Sequence, residues 1–186
     1  MIKSSCINLN NQQLDINVTA KQGCYVEILE RTKSQLDAML SHHSRVIVIR
    51  LDLHVNHYED KNTLLSKFIR KLRKRLCRQY DLKRVGFIWV REIEKAKQQH
   101  YHLAIILNAN KVSHPANVYS LIDDIWMGWG QPKPFRPEYG YYKLTRTDTE
   151  TYQEAFMRLS YMAKQRGKGY KAKQANDFSA SRLKPP

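Results

Sequence analysis

From Val46 onward the hydrophobic pattern changes period in a fixed order, and that order limits the fold more than any other feature of the chain. Residues 46–53 alternate with a period of two. Ile47, Ile49, Leu51 and Leu53 share one side, and Val48, Arg50 and Asp52 share the other, as on a strand. Asn62 to Gln79 then follows the helical period, with Leu65, Phe68, Ile69, Leu72 and Leu76 as its apolar stripe. The period of two returns over Val85–Glu94 and His100–Leu107, joined by a polar loop. A helix is predicted over Ala116–Met127, ended by the Gly/Pro-rich stretch Gly128–Gly140, and Tyr141–Thr145 is a short fourth strand.

The order strand, helix, strand, strand, helix, strand spells an α+β fold of the ferredoxin-like, split βαβ kind with an antiparallel sheet. Its helices are expected on one sheet face, leaving the other for a site. Another helix is predicted over Val26–Leu40 and a last one over Glu150–Gln165, ending before Gly167. Residues 1–24 are polar, rich in Asn and Gln, and without clear periodicity. The organisation read from these patterns is an N-terminal extension with one helix (1–44), one domain (45–167), and a basic tail expected to be disordered (168–186).

Lysine and arginine number 32 against 17 acidic residues among 186, a formal net charge of +15. That excess favours a polyanionic partner, nucleic acid first and an anionic membrane surface second. The longest apolar runs, Val46–Ile49 and Leu103–Leu107, fall far short of the roughly 20 residues a spanning helix needs. The N-terminus lacks the apolar stretch of a signal peptide, and three widely spaced cysteines suit neither a disulfide framework nor a cysteine zinc site. A cytoplasmic protein that does not enter the membrane is expected.

Chemistry concentrates in His100-Tyr101-His102. On a strand both imidazoles point to one face, where they can chelate a divalent cation; the same pattern also suits two surface histidines. With a hairpin loop at Lys95–Gln99, Glu94 lies across from His100 and Glu92 across from His102, on the same face. Tyr161 and Lys164 sit opposite the apolar face of the last helix, three residues apart, a phenol beside a cation. Lys67, Arg70, Lys71, Lys74 and Arg78 crowd the polar side of the basic helix, and Arg166 and Lys168 begin the tail. They are read either as DNA phosphate contacts or as a solvated face. His54 and His57 are read as structural or surface residues.

Four stretches carry a resemblance: Val46–Asp52 running into Leu53-His54, Trp89-Val90-Arg91-Glu92, His100-Tyr101-His102-Leu103, and Tyr161-Met162-Ala163-Lys164. The sequence resembles HUH endonucleases of the replication-initiator branch. More narrowly, it is similar to the inovirus gene-two-type replication proteins and the prophage YagK/YfjJ family. The tyrosine follows the histidine pair, as in replication initiators, and a second tyrosine one turn away is missing.

The resemblance implies that residues 45–167 are an HUH endonuclease domain, active in a bacterial host on single-stranded or origin-hairpin DNA. His100, His102 and Glu92, with Glu94 as the fallback, would hold Mg²⁺ or Mn²⁺. Tyr161 would attack the phosphate to give a 5′-phosphotyrosine, with Lys164 orienting the phosphate. A host helicase and polymerase would complete rolling-circle replication. The alternative from a different functional class is a non-catalytic DNA-binding regulator on the same fold.

Overall fold

The computed structural model describes residues 1–18, 22–93, 99–168 and 176–186. Seven strands and four helices are described: β1 (Cys6–Leu9), β2 (Gln12–Asp15), α1 (Val26–His42), β3 (Arg45–His54), α2 (Thr63–Tyr80), β4 (Gly86–Ile93), β5 (Gln99–Asn108), α3 (Ala116–Met127), β6 (Tyr141–Thr145), α4 (Thr149–Ser160) and β7 (Phe178–Ala180). The main sheet has the order β6-β3-β5-β4-β7, antiparallel at every pairing. Its first four members are the strands of the split βαβ repeat, so the α+β antiparallel fold read from the periodicity is the fold of the chain.

Both sheet faces are apolar because the central strands alternate two apolar sets. One set, including Ile47, Ile49, Leu51, Leu103 and Ile105, packs with Leu65, Phe68, Leu72 and Leu76 of α2 and with Leu121, Ile122 and Trp126 of α3. The other, including Val46, Val48, Val90, Ala104 and Ile106, packs with Leu29, Leu36 and Met39 of α1 and Phe156 and Leu159 of α4. The two helices of the repeat thus share one face, as their pattern predicts. The helices outside the repeat cover part of the opposite face, which the sequence reading had left to the site. They do so because that face is apolar for most of its length and turns polar toward one end, at Arg50, Asp52, His54, Glu92, His100 and His102.

Two outer segments differ from their expected roles. Residues 1–18 are no loose extension. β1 and β2 form a hairpin whose Ile7, Leu9, Leu14 and Ile16 enter the core beneath α1 and α4. In the tail, residues 169–175 lie outside the described residues, but β7 pairs with the free edge of β4 and Ser181 N–H donates to the Phe87 carbonyl at 2.8 Å. The edge of β4 offers unpaired backbone groups, and pairing them outweighs the low hydrophobicity of the segment.

The last helix is shorter than Glu150–Gln165. α4 begins at the Asp148 cap, whose carboxylate accepts from Thr151 N–H at 3.0 Å, and ends at Ser160. Tyr161–Ala163 follow as a single 3₁₀ turn, and Lys164 is extended, bridged to Cys24. Gly167 then adopts φ +68°, and a Cβ there would meet the Glu92 Cβ at 3.1 Å and Ile93 N at 3.3 Å. Glycine is required here because only it accepts both the left-handed backbone and this approach to β4.

Candidate metal centre

The polar end of the α1/α4 face is assembled by three adjacent strands. β3 supplies Arg50 and Asp52, β5 supplies His100 and His102, and β4 supplies Glu92. In the observed register Glu92 lies across from His100 and Val90 from His102, with Gln99 paired to Ile93. The sequence reading had set the register two residues away, with Glu94 opposite His100. A shift of two preserves the face, so Glu92 still joins the histidines. Glu94, the fallback ligand, lies outside the described residues.

Ligand atoms of Glu92, His100 and His102 all lie within 4.8 Å of one another. Glu92 Oε2 is 3.5 Å from His100 Nε2 and 3.3 Å from His102 Nε2. All three side chains are buried. Asp52 Oδ1 stands 2.6 Å from His102 Nδ1. Arg50 Nη2 also approaches that nitrogen at 3.2 Å, but it bonds the same Asp52 oxygen at 3.2 Å. The shorter contact assigns the proton on Nδ1 to a bond with Asp52, which leaves the Nε2 lone pair aimed toward Glu92.

That Nε2 is buried and makes no hydrogen bond. An orphaned imidazole nitrogen facing a second imidazole and a carboxylate is the arrangement a divalent cation satisfies, so the residues present fit such an ion. The surrounding carboxylates favour a positive charge at this place, whether a proton or a metal ion. Burial works against a positive charge on His102, yet the Asp52 hydrogen bond and the negative charges of Asp52 and Glu92 outweigh it and push its pKa above the usual value. Burial would likewise raise Glu92, but His100, His102 and Lys168 hold its carboxyl well below the usual range. Asp52 is also lowered: His102 and Arg50 outweigh its burial. The site is built to keep carboxylates ionised beside a positive charge.

Tyr161 is half-buried and reaches this cluster from the 3₁₀ turn. Its ring stands edge-to-face with His102, centroids 5.7 Å apart. Lys164 Nζ lies 4.7 Å from the centre of the ring and Arg50 Cζ 5.1 Å from it. The structure therefore brings together Glu92, His100, His102, Tyr161 and Lys164. Sequence reading gave no role to Arg50 and Asp52. Their one signal was that both share the strand face of Val48, where charge is otherwise unexpected. His54, read as structural or surface, stacks on His100 with ring centroids 5.2 Å apart.

The expected DNA contacts divide. Lys67, Arg70, Lys71, Lys74 and Arg78 are exposed on α2, which packs on the sheet face opposite the metal centre. Arg166 is exposed beside it. Lys168 does not take its expected place on the surface. Its ammonium is buried, paired with Glu92 Oε1 at 2.6 Å, and so cannot serve as a surface phosphate contact. The cause is Gly167, whose turn and carbonyl bond to Ile93 N–H draw the next side chain inward.

The family model of the YagK/YfjJ C-terminal domain matches residues 8–181. The chain belongs to that family. The match takes in the second half of β1, all of β2 and β7, and so extends beyond the 45–167 read from the sequence motifs. Comparison with curated proteins and with solved structures gives no match. Among the described residues, no helix is long and apolar enough to cross a membrane.

Proposed function

We propose that this YagK/YfjJ-family chain is a metal-dependent DNA-nicking and joining enzyme of the HUH replication-initiator type, acting through a single tyrosine. The observation that carries the reading is the convergence of Glu92, His100 and His102 within 4.8 Å, with the Tyr161 ring against His102. Its supports are the +15 net charge, which suits a polyanion, and the resemblance of the four motifs to HUH endonucleases.

Glu92, His100 and His102 would hold Mg²⁺ or Mn²⁺, whose chemistry is to polarise the scissile phosphate and offset its developing charge. Mn²⁺ suits the two imidazoles better than Mg²⁺ does. Asp52 fixes the tautomer and orientation of His102. Tyr161 is the nucleophile: its phenolic oxygen forms the bond to phosphorus as the bond to the 3′ oxygen breaks. The tyrosine gives up its proton and the 3′ oxygen gains one, leaving a 5′-phosphotyrosine and a free 3′-OH. The exchange of one phosphoester for another conserves bond energy, so the 3′-OH can attack in reverse and rejoin the strand. Lys164 and Arg50 flank the ring as cations that steady phenolate and phosphate.

Single-stranded DNA is the favoured substrate. Phe135, 55% exposed, exchanges two backbone hydrogen bonds with Asp52, which sets an open aromatic ring next to the site for base stacking. The test is strand scission of a labelled single-stranded oligonucleotide carrying the cognate origin, with Mn²⁺. Cleavage is expected from the native chain and its loss from His100→Ala, from His102→Ala and on chelation. Cleavage that survives chelation would refute the metal role. Tight origin binding without cleavage would favour a DNA-binding regulator instead.

A further inference from the structure

We propose that the candidate centre takes up its divalent cation cooperatively with a DNA phosphate, because both carboxylates at the centre are already paired with cations of this chain, Glu92 with Lys168 and Asp52 with Arg50. The inference rests on the DNA-nicking reading and adds to it a rule for the order and strength of binding.

Lys168 is held firmly where it is. Its Nζ donates to Glu92 Oε1 at 2.6 Å, to the Lys164 carbonyl, and to the Arg166 carbonyl at 3.3 Å. Those three acceptors use all three protons of the ammonium. The lysine occupies one oxygen of Glu92 and leaves Oε2 to face the two imidazoles at 3.5 and 3.3 Å. Lys168 is therefore a positioning residue: it acts on the cation through Glu92, restricting that carboxylate to one oxygen.

The charge count follows from the same contacts. Arg50 and Lys168 pair with Asp52 and Glu92, Lys164 stands over the Tyr161 ring, and one further charge of each sign acts on the cluster, Arg158 on Arg50 and Asp177 on Lys168, so four cations stand against three carboxylates. With neutral imidazoles, the cluster carries a net positive charge before any metal arrives. A divalent ion added to it meets repulsion, and burial weakens the solvent screening that would soften that repulsion. A phosphodiester supplies the missing negative charge. Each ligand then raises the affinity of the other by the same factor, as linkage requires.

The experiment uses the full chain carrying Tyr161→Phe, so that DNA binds without being cut. Mn²⁺ affinity is read by electron paramagnetic resonance, alone and with saturating single-stranded oligonucleotide, the oligonucleotide's own Mn²⁺ uptake being subtracted. The expected result is about tenfold or greater tightening by DNA, and the same tightening of DNA by Mn²⁺. Adding Lys168→Gln should strengthen Mn²⁺ binding without DNA and shrink the coupling, whereas Lys168→Arg should preserve it. Equal Mn²⁺ affinity with and without DNA, or full coupling in Lys168→Gln, would overturn the proposal. If Lys168→Gln fails to fold, the comparison with and without DNA decides alone. Failure to bind Mn²⁺ in either state would overturn the metal centre itself, whereas equal binding in both overturns only the coupling.

Discussion

Asp52 and Lys168 each steady one ligand of the candidate centre from behind, and both do so across long stretches of sequence. The period of two placed Glu92, His100 and His102 on one face from the sequence alone, and it survived a register error of two residues because parity was kept. Asp52 shared that face too, but nothing local said that its carboxylate would meet an imidazole 50 positions later. Lys168 was less legible still. It meets Glu92 across 76 residues of sequence, through a turn that only the packing of Gly167 on β4 explains. Removing the carboxylate behind His102 frees the imidazole to rotate and to change tautomer. Asp52→Ala is expected to weaken Mn²⁺ binding about 10- to 100-fold, measured by calorimetric titration. An unchanged affinity would mean that Asp52 serves the Arg50 pair alone.

At the scale of elements, strong periodicity marked every strand and helix of the split repeat, while weak patterns concealed the hairpin and β7. β1 and β2 have only four residues each, too few for alternation to stand out in a polar segment. Leu14 nevertheless has no exposed surface and belongs to the core under α1 and α4. Leu14→Ala is expected to cost about 2–5 kcal/mol in chemical denaturation, the range for a buried leucine. A cost below about 0.5 kcal/mol, typical of surface sites, would show that the hairpin is not integral. The start of α4 gives a pH test. Asp148 is held below the usual carboxylate range by hydrogen bonds from the Thr151 backbone and side chain. A depressed folded-state pKa adds stability above the unfolded value, and that stability is lost as pH falls through the folded one. The melting temperature should therefore drop more steeply below about pH 4 in the native chain than in Asp148→Asn, which caps without titrating.

The whole molecule presents two separated groups of basic side chains. One is the cluster around Tyr161 at the polar end of the α1/α4 face. The other is α2, on the opposite face, whose exposed stripe of Lys67, Arg70, Lys71, Arg73, Lys74, Arg75 and Arg78 carries no acidic residue between them. Composition announced the charge, but only the sheet topology shows that the two surfaces are back to back. Under the proposed function, a short strand seated at Tyr161 would leave α2 free for a longer or folded DNA. Replacing Lys67, Arg70 and Lys74 by Gln should reduce the salt dependence of hairpin binding by roughly 0.7–0.9 in log–log slope per lost phosphate contact. Cleavage of a short saturating oligonucleotide should be unchanged. An unaltered slope would make the α2 stripe a solvated face.

The central claim is that Tyr161 becomes bonded to DNA. Its most direct measurement is peptide mass spectrometry of the protein after reaction with origin-bearing single-stranded DNA and Mn²⁺, followed by nuclease trimming. The account predicts a nucleotide adduct on the peptide containing Tyr161, absent from Tyr161→Phe and absent without metal. An adduct on another tyrosine, or strand cleavage with no adduct at all, would contradict it.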